Sequence, residues 1–568
     1  MQIDHPENLI GINGDYPGLE FDDIADAQND EEARQRVAEE NAHKQHISIH
    51  VLVASLLMGV VGNLLFHSAP LGINLPLFVL AFMLMAFGLL RLLNVTAYPA
   101  NLSLLIPALM FSVWMSVIAS PTLMLLNASV AFCTLALSLR FSGIPRFLGG
   151  SLRCLFENTM DMFFVAWLRD PLNTIMQSVG YLKNNGDQFE GLKRFRALHL
   201  ASIVRGALLT LPVVIVFGVL LGSADAIFAG IMDDALAWIN PKSPWNTFGQ
   251  LMTIGTFAWF SMAGFRLMLT APLNTSAEAK REKRKPLLRL SMIEAGMMLG
   301  AVNALFIVFM LIQARYLFGG EANINTQGLT YAQYARRGFQ ELLTVSCMTV
   351  VLTLMLDNLT VRDRDHDRLF RGLVTAMIGL TALLLVAAFY RLYLYQDAYG
   401  YTRIRVMSGA FMLWLAVLFG FLLWDIWRVG EARSGRVFWI GCIVALFGFA
   451  FTLNAINMDR FIASRNIARW EHGESLDVGY LTELSDDALP VIAPLLDNAN
   501  LTTAQSETLL TQLGYRLYTL DNWHEDRGLF GYHLGLERAW SALNAHRDAL
   551  SAYIVPRPSR YGYSGGWD

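Results

Sequence analysis

The residues best placed to do chemistry sit in two short stretches of an otherwise apolar chain. One reads Arg315-Tyr-Leu-Phe-Gly-Gly320 and, further on, Thr330-Tyr-Ala-Gln-Tyr-Ala-Arg336-Arg337-Gly-Phe-Gln-Glu341; the other reads Tyr390-Arg-Leu-Tyr-Leu-Tyr-Gln-Asp-Ala-Tyr-Gly400-Tyr-Thr-Arg-Ile-Arg405. Guanidinium groups bind carboxylate or phosphate through paired N–H donors. With tyrosines between them they could form a wet, cationic, aromatic-walled site for an anion. The candidate ligand residues are Arg315, Tyr316, Tyr331, Tyr334, Arg336, Arg337, Glu341, Arg391, Asp397, Tyr399, Arg403 and Arg405. The competing reading is an ordinary interfacial aromatic belt whose arginines snorkel to the headgroups.

Other reactive groups are better explained structurally. Glu294 and Glu341 lie near the ends of apolar segments, where a carboxylate reaches water or an arginine, and no carboxylate lies at the middle of an expected span. Asn63, Asn127 and Asn303 lie deeper, and hydrogen bonding between helices accounts for them. His43, His46 and His50 share a helical face, and His533 and Glu537 are one turn apart with His524 nearby. Solvated surface histidines explain both groups more simply than a metal, because HExxH, Cys pairs and an ordered ligand set are lacking. The four cysteines, Cys133, Cys154, Cys347 and Cys442, have no CxxC spacing and read as packing residues. GxSxG, Walker A and a GxGxxG in a strand–helix setting are likewise missing from the sequence, so no cofactor, metal or catalytic residue is expected. Nucleic-acid binding needs no invoking.

The elements that must position these residues are membrane helices. The chain of 568 residues is 54% hydrophobic and 16% charged, against about 25% charged in soluble domains. A span needs about 20 apolar residues. Stretches at 48–66, 75–93, 100–119, 121–139, 201–222, 248–270, 290–312, 340–357, 370–390, 404–424 and 437–456 qualify, with kinks expected at Pro107 and Pro212. This predicts an all-α, polytopic bundle of about eleven spans. Residues 1–47 carry twelve acids and three bases and read as an acidic tail. Without a signal-peptide pattern, the first apolar helix is expected to be retained. Residues 140–200 form a basic connection whose segment 158–168 suits an interfacial helix better than a re-entrant one. Assigning alternate connections to alternate sides puts 24 bases on one side and 7 on the other. The basic side, with Lys280–Lys285 against anionic headgroups, is then cytoplasmic. Six of the seven outward bases fall in the two Arg/Tyr stretches.

Residues 457–555 change character and read as a small helical extracytoplasmic domain. An N-cap is expected at Ser485 and Asp486, with amphipathic stretches at 504–520 and 531–553 and a disordered tail over 556–568. From Asp459 onward there are fifteen acids and nine bases. An acidic domain above a basic rim should dock on it, making some rim arginines internal partners.

Several motifs in order resemble a bacterial inner-membrane protein family known only as a domain of unknown function. They are Tyr316-Leu-Phe-Gly-Gly320 with Thr330-Tyr-Ala-Gln-Tyr-Ala-Arg-Arg-Gly-Phe339, then Asp397-Ala398-Tyr399-Gly-Tyr-Thr-Arg403. Asn457-Met-Asp-Arg-Phe-Ile-Ala-Ser-Arg-Asn-Ile-Ala-Arg469 and Leu476-Asp-Val-Gly-Tyr-Leu-Thr-Glu-Leu-Ser-Asp-Asp-Ala-Leu-Pro490 continue the series, so the likeness spans roughly residues 290–550. The resemblance implies an inner-membrane protein and carries no reaction, ligand or catalytic residue. The leading functional reading is a non-enzymatic envelope protein that senses, scaffolds or regulates through the Arg/Tyr rim and helical domain, with an envelope or signalling protein as partner. A transporter of a small or lipid-linked anion is the alternative, and a lipid-linked transferase using Asp397, Glu341 or Asp459 is the third.

Overall fold

The computed structural model describes residues 21–67, 69–95, 103–141, 167–185, 244–270, 290–318, 339–360, 364–428 and 436–556. Among them the regular elements are helices. The one β feature among these residues is an isolated bridge between Leu290 and Thr360, where Leu290 N–H donates to Leu359 O. In chain order the helices of the apolar part are α1 (Phe21–Phe66), α2 (Asn74–Leu92), α3 (Leu105–Trp114), α4 (Pro121–Phe141), α5 (Trp167–Asn185), α6 (Pro244–Thr270), α7 (Met292–Phe318), α8 (Phe339–Leu359), α9 (Arg364–Tyr399), α10 (Arg403–Trp427) and α11 (Arg436–Ala455). Seven segments among the described residues are long and apolar enough to cross a bilayer: Lys44–Phe66, Asn74–Leu92, Pro121–Leu139, Met292–Ile312, Asp367–Tyr399, Arg403–Trp427 and Val437–Ala455.

These seven coincide with expected spans. The sixth and eighth expected spans are also helical, as α6 and α8. The fifth, with Pro212, lies outside the described residues, as do most of the 140–200 connection, the Lys280–Lys285 run and the tail from 557. Two elements differ from the sequence reading. The third expected span contains a helix of only ten residues, α3, about 15 Å long at 1.5 Å per residue. Its last turns loosen where Ser112 and Ser116 hydroxyls donate to the carbonyls of Leu109 and Val113, both at 2.7 Å. Pro107 stands in its first turn, where the missing N–H disrupts no helical bond and no kink is required. Residues 21–47, expected as a tail, continue α1 on its N-terminal side. The Ala, Glu, Gln and Arg there favour a helix by propensity without supplying an apolar run.

The chain divides into two compact units, Met1–Val53 with Leu172–Asp225, and Ala54–Pro171 with Ala226–Asp568. In the first, α1 meets α5 through Ser48 Oγ, which donates to Gln177 Oε1 at 2.9 Å, and through an edge contact of His46 with Tyr181. His46 and His50 lie ring to ring on this face.

The second unit holds most of the bundle. Here α10 and α11 pack closely because glycines admit aromatic rings. A Cβ on Gly448 would lie 2.1 Å from the Trp414 ring, and one on Gly441 would lie 2.4 Å from Phe421. The Trp414 indole then donates to Thr452 Oγ1 at 3.0 Å. Polar pairs tie other helices, as expected of side chains that would otherwise face hydrocarbon unsatisfied. Asn127 on α4 and Asn454 on α11 exchange amide hydrogen bonds of 2.8 and 2.7 Å. Asn303 on α7 donates to Leu373 O on α9, and Thr349 on α8 meets Thr381 on α9. Asn63 differs: its Oδ1 is buried without a hydrogen-bond partner among the described residues.

The C-terminal domain is helical, as its amphipathic stretches imply. It comprises α12 (Met458–Glu471), α13 (Val478–Glu483), α14 (Leu489–Ile492) with flanking 3₁₀ turns, α15 (Thr503–Asp526), α16 (Leu534–Asn544) and α17 (Arg547–Leu550). A capping box of Thr502 and Gln505 opens α15. The expected cap at Ser485 marks the start of a 3₁₀ turn, but its side chain makes no capping bond. The second amphipathic stretch begins as a helix only at Leu534, where His533 Nδ1 accepts from Leu536 N–H.

Candidate functional site: a clasp between the helix ends and the C-terminal domain

One hydrophobic cluster runs without a break from the ends of the bundle into the C-terminal domain. Ile118 and Leu123 beside α3 and α4, Val406 and Ala410 on α10, and Leu453 on α11 share it with Met458, Ile462, Leu489, Ile492, Leu513 and Leu543. The domain therefore sits on the helix ends and is not held on a stalk. The connections it meets follow α1, α3, α9 and α11.

The sequence Asp397-Ala-Tyr-Gly-Tyr-Thr-Arg403 forms the polar half of this clasp. Gly400 has φ +78°, in the left-handed region, and a Cβ there would lie 2.8 Å from both Arg469 Nη1 and Asn466 Oδ1. Only glycine satisfies both conditions without strain. The turn it makes presents Tyr401, whose backbone N–H donates to Asn466 Oδ1 at 2.7 Å and whose carbonyl accepts from Asn466 Nδ2 at 2.9 Å. Arg469, also on α12, donates to Asp397 O. Arg405 turns back on its own helix start, donating to Tyr399 O and Gly400 O with its guanidinium 3.9 Å over the Tyr395 ring.

At the centre Arg403 donates from Nε and Nη2 to the two carboxylate oxygens of Asp459, at 2.8 and 2.7 Å. The Arg403 backbone N–H donates to the Tyr480 hydroxyl at 3.0 Å. The Asp459 side chain is fully buried and that of Arg403 is 31% exposed. Burial alone would raise the Asp459 carboxyl, but the hydrogen bonds from Arg403 and from Ser485 outweigh it and hold it below the ordinary value. Nearby, Asp487 accepts from Ser120 N–H at 2.9 Å. Burial pushes this carboxyl up to about 6, although the backbone N–H groups of Ala119 and Ser120 pull the other way. His533 is buried too, and desolvation lowers its pKa. Leu534 N–H next to it donates to Ser116 O at 2.8 Å.

The structure thus joins Asp397, Arg403 and Arg405 of the candidate residues in one construction, as parts of a joint. Tyr399 is exposed beside them, its ring edge-on to Tyr395 with centroids 5.3 Å apart. Arg391 is buried on α9, and Glu341 is exposed in the first turn of α8. Arg315 and Tyr316 fall on α7 with side chains outside the described part, and Tyr331, Tyr334, Arg336 and Arg337 lie outside the described residues. Sequence reasoning missed Asn466, Tyr480 and Asp487, and read Ser485 only as a helix cap. Their signal was present in the post-membrane motifs, which contain all four. Other candidates resolve structurally. Glu294 accepts from Ser291 N–H at 2.6 Å and Ser291 Oγ accepts from Glu294 N–H, a reciprocal helix cap. Glu537 pairs with Arg527 and His524, and His524 stacks on Trp540 at 3.8 Å.

Membrane-length helices closed at one end by a docked helical domain define a polytopic integral membrane protein. The chain belongs to the family described as domain of unknown function (DUF4153), which matches residues 105–495. The match takes in the clasp and also reaches back to α3, further than the motifs alone extend. No curated protein and no solved structure matches the chain.

Proposed function

We propose that this protein is a non-enzymatic envelope component that senses, scaffolds or regulates, with the docked domain and its surrounding rim as the working surface. The observation that carries this reading is the use made of the rim cations. Arg403 is committed to Asp459, Arg405 to backbone carbonyls and the Tyr395 ring, and Arg469 to Asp397 O. Charges engaged in this way fix a surface in place; they are not held ready for an exchanging anion. Glu341, Asp397 and Tyr399 are exposed. They are the groups offered to a protein partner.

The positive-inside pattern supports an orientation with the N-terminus and Lys280–Lys285 cytoplasmic, the run against anionic headgroups, and the C-terminal domain on the outer face of a bacterial inner membrane. The test compares the full chain with an Asp397→Ala, Tyr399→Ala variant after mild detergent extraction. Both substitutions keep the backbone carbonyls that Arg469 and Arg405 use. A stable protein partner should co-purify with the first and be lost from the second, while amide exchange in the C-terminal domain stays unchanged. Anion flux into proteoliposomes, or turnover of a lipid-linked donor, that the same variant abolishes would replace this reading with transport or transfer.

A further inference from the structure

We propose that the turn Arg527–Gly531 of the C-terminal domain is an interfacial lipid anchor that lowers Leu529 and Phe530 into the bilayer edge beside α2. The turn is tightly built. Gly531 N–H donates to Arg527 O at 3.0 Å, and Gly528 reverses the chain with φ +54°. Backbone bonds fix its depth. Ile73 N–H donates to Tyr532 O at 2.9 Å, and Asn74 N–H donates to Phe530 O at 3.1 Å. Two glycines permit this approach: a Cβ on Gly531 would meet Pro70 at 2.6 Å, and one on Gly72 would meet Tyr532 O at 2.4 Å. Buried Asn74 holds the receiving loop, accepting from Gly72 N–H and donating to Leu65 O and Pro70 O.

Asn74 is also the first residue of the membrane-length segment Asn74–Leu92. Phe530 is therefore held level with the first turn of a span. Ile73, Leu77, Leu80, Leu84 and Phe87 are all exposed, and their spacing draws one apolar stripe down α2. This stripe faces lipid in a bilayer, and Ile73 heads it. Leu529, 81% exposed, and the exposed Phe530 and Tyr532 extend the stripe across the junction onto the C-terminal domain. Arg527 lies over the rings of Trp523 and Tyr532, at 5.2 and 5.3 Å, the half-polar grouping that suits the headgroup level. Continuity with a lipid-facing stripe identifies the occupant as the bilayer surface. The inference holds whether or not the rim recruits a partner.

The test places a polarity-sensitive fluorophore on Leu529→Cys in the full chain with its native cysteines replaced. The protein is reconstituted in vesicles of phosphatidylcholine and phosphatidylglycerol. Phe530→Cys gives a second reading, and Asn500→Cys, exposed elsewhere on the domain, is the aqueous reference. Labels at 529 and 530 should emit at shorter wavelength than the reference, lose quenching by iodide and gain quenching by lipids brominated high on the acyl chain. Iodide quenching equal to that at 500 overturns the proposal. Shielding in native membranes that disappears in the purified vesicles also overturns it, because a protein would then be the occupant.

Discussion

Replacing Arg403 by Ala should loosen the C-terminal domain far more than replacing Arg460, the exposed sequence neighbour of its partner Asp459. Asp459 receives three hydrogen bonds, two from the Arg403 fork and one from Ser485 N–H at 3.0 Å. Arg403→Ala removes two of them and leaves a fully buried carboxylate with one donor. Breaking a buried pair from one side costs about 3–5 kcal/mol, because the surviving charge is stranded. Arg403 is itself nearly a third exposed, so water screens part of the loss and the lower end, about 3 kcal/mol, applies. That corresponds to roughly a hundredfold increase in the open population. Amide hydrogen exchange in nanodiscs reads it directly, as faster exchange over residues 478–489. Adding Asp459→Asn to Arg403→Ala removes the stranded charge and should restore part of the protection. Exchange in Arg403→Ala that matches Arg460→Ala, or a double variant looser than either single one, would refute the reasoning.

Asp487→Asn should stabilise the domain at pH 7 by up to about 3 kcal/mol, because charging a carboxyl that burial pushes up to about 6 opposes the fold. A raised acid takes up a proton on folding, so its contribution is full below the ordinary value of 3.8 and is lost as pH rises to about 6. The variant should therefore flatten the decline in thermal stability over that window. The acid limb should remain, since Asp459 is lowered and its contribution disappears as pH falls through its folded value. Gly400→Ala combines a left-handed residue with a collision against Asn466 and Arg469, and should cost about 1–3 kcal/mol in urea unfolding of the domain. In Asn127 and Asn454, single Leu substitutions and their double variant should show a coupling of about 0.6–1.7 kcal/mol in a double-mutant cycle of unfolding. Purely additive effects would mean that the pair is not formed.

The membrane helices were legible because hydrocarbon imposes length and apolarity on a span, and Lys44–Phe66 or Arg403–Trp427 have little else in them. The helix α3 was not, because Ser112 and Ser116 are mild in any hydropathy sum yet redirect local hydrogen bonds and open a loop for Asp487 to dock on. The helical reach of α1 before residue 44 was hidden for the opposite reason, since propensity alone leaves no periodic apolar mark. At the rim, the unusual density of Arg and Tyr was visible and their roles were not. Arg403 finds Asp459 across 56 residues and Tyr401 finds Asn466 across 65, and charge composition could suggest such docking without naming the pairs. The 528–532 turn gave no sequence signal for its depth, which is set by backbone bonds to Ile73 and Asn74.

Docking of the domain on the bundle end is tested most directly by a disulfide between Ile73→Cys and Tyr532→Cys in intact membranes. Their backbones are hydrogen-bonded at 2.9 Å and both side chains are partly exposed, which brings the Cα atoms within the range a disulfide spans. Mild oxidation should close this bond rapidly in the cysteine-free background, with the chain remaining in the membrane fraction. Ile73→Cys paired with Asn500→Cys should stay reduced. A 73–532 pair that stays reduced under conditions that label both thiols, or one no faster than 73–500, would contradict the docked arrangement.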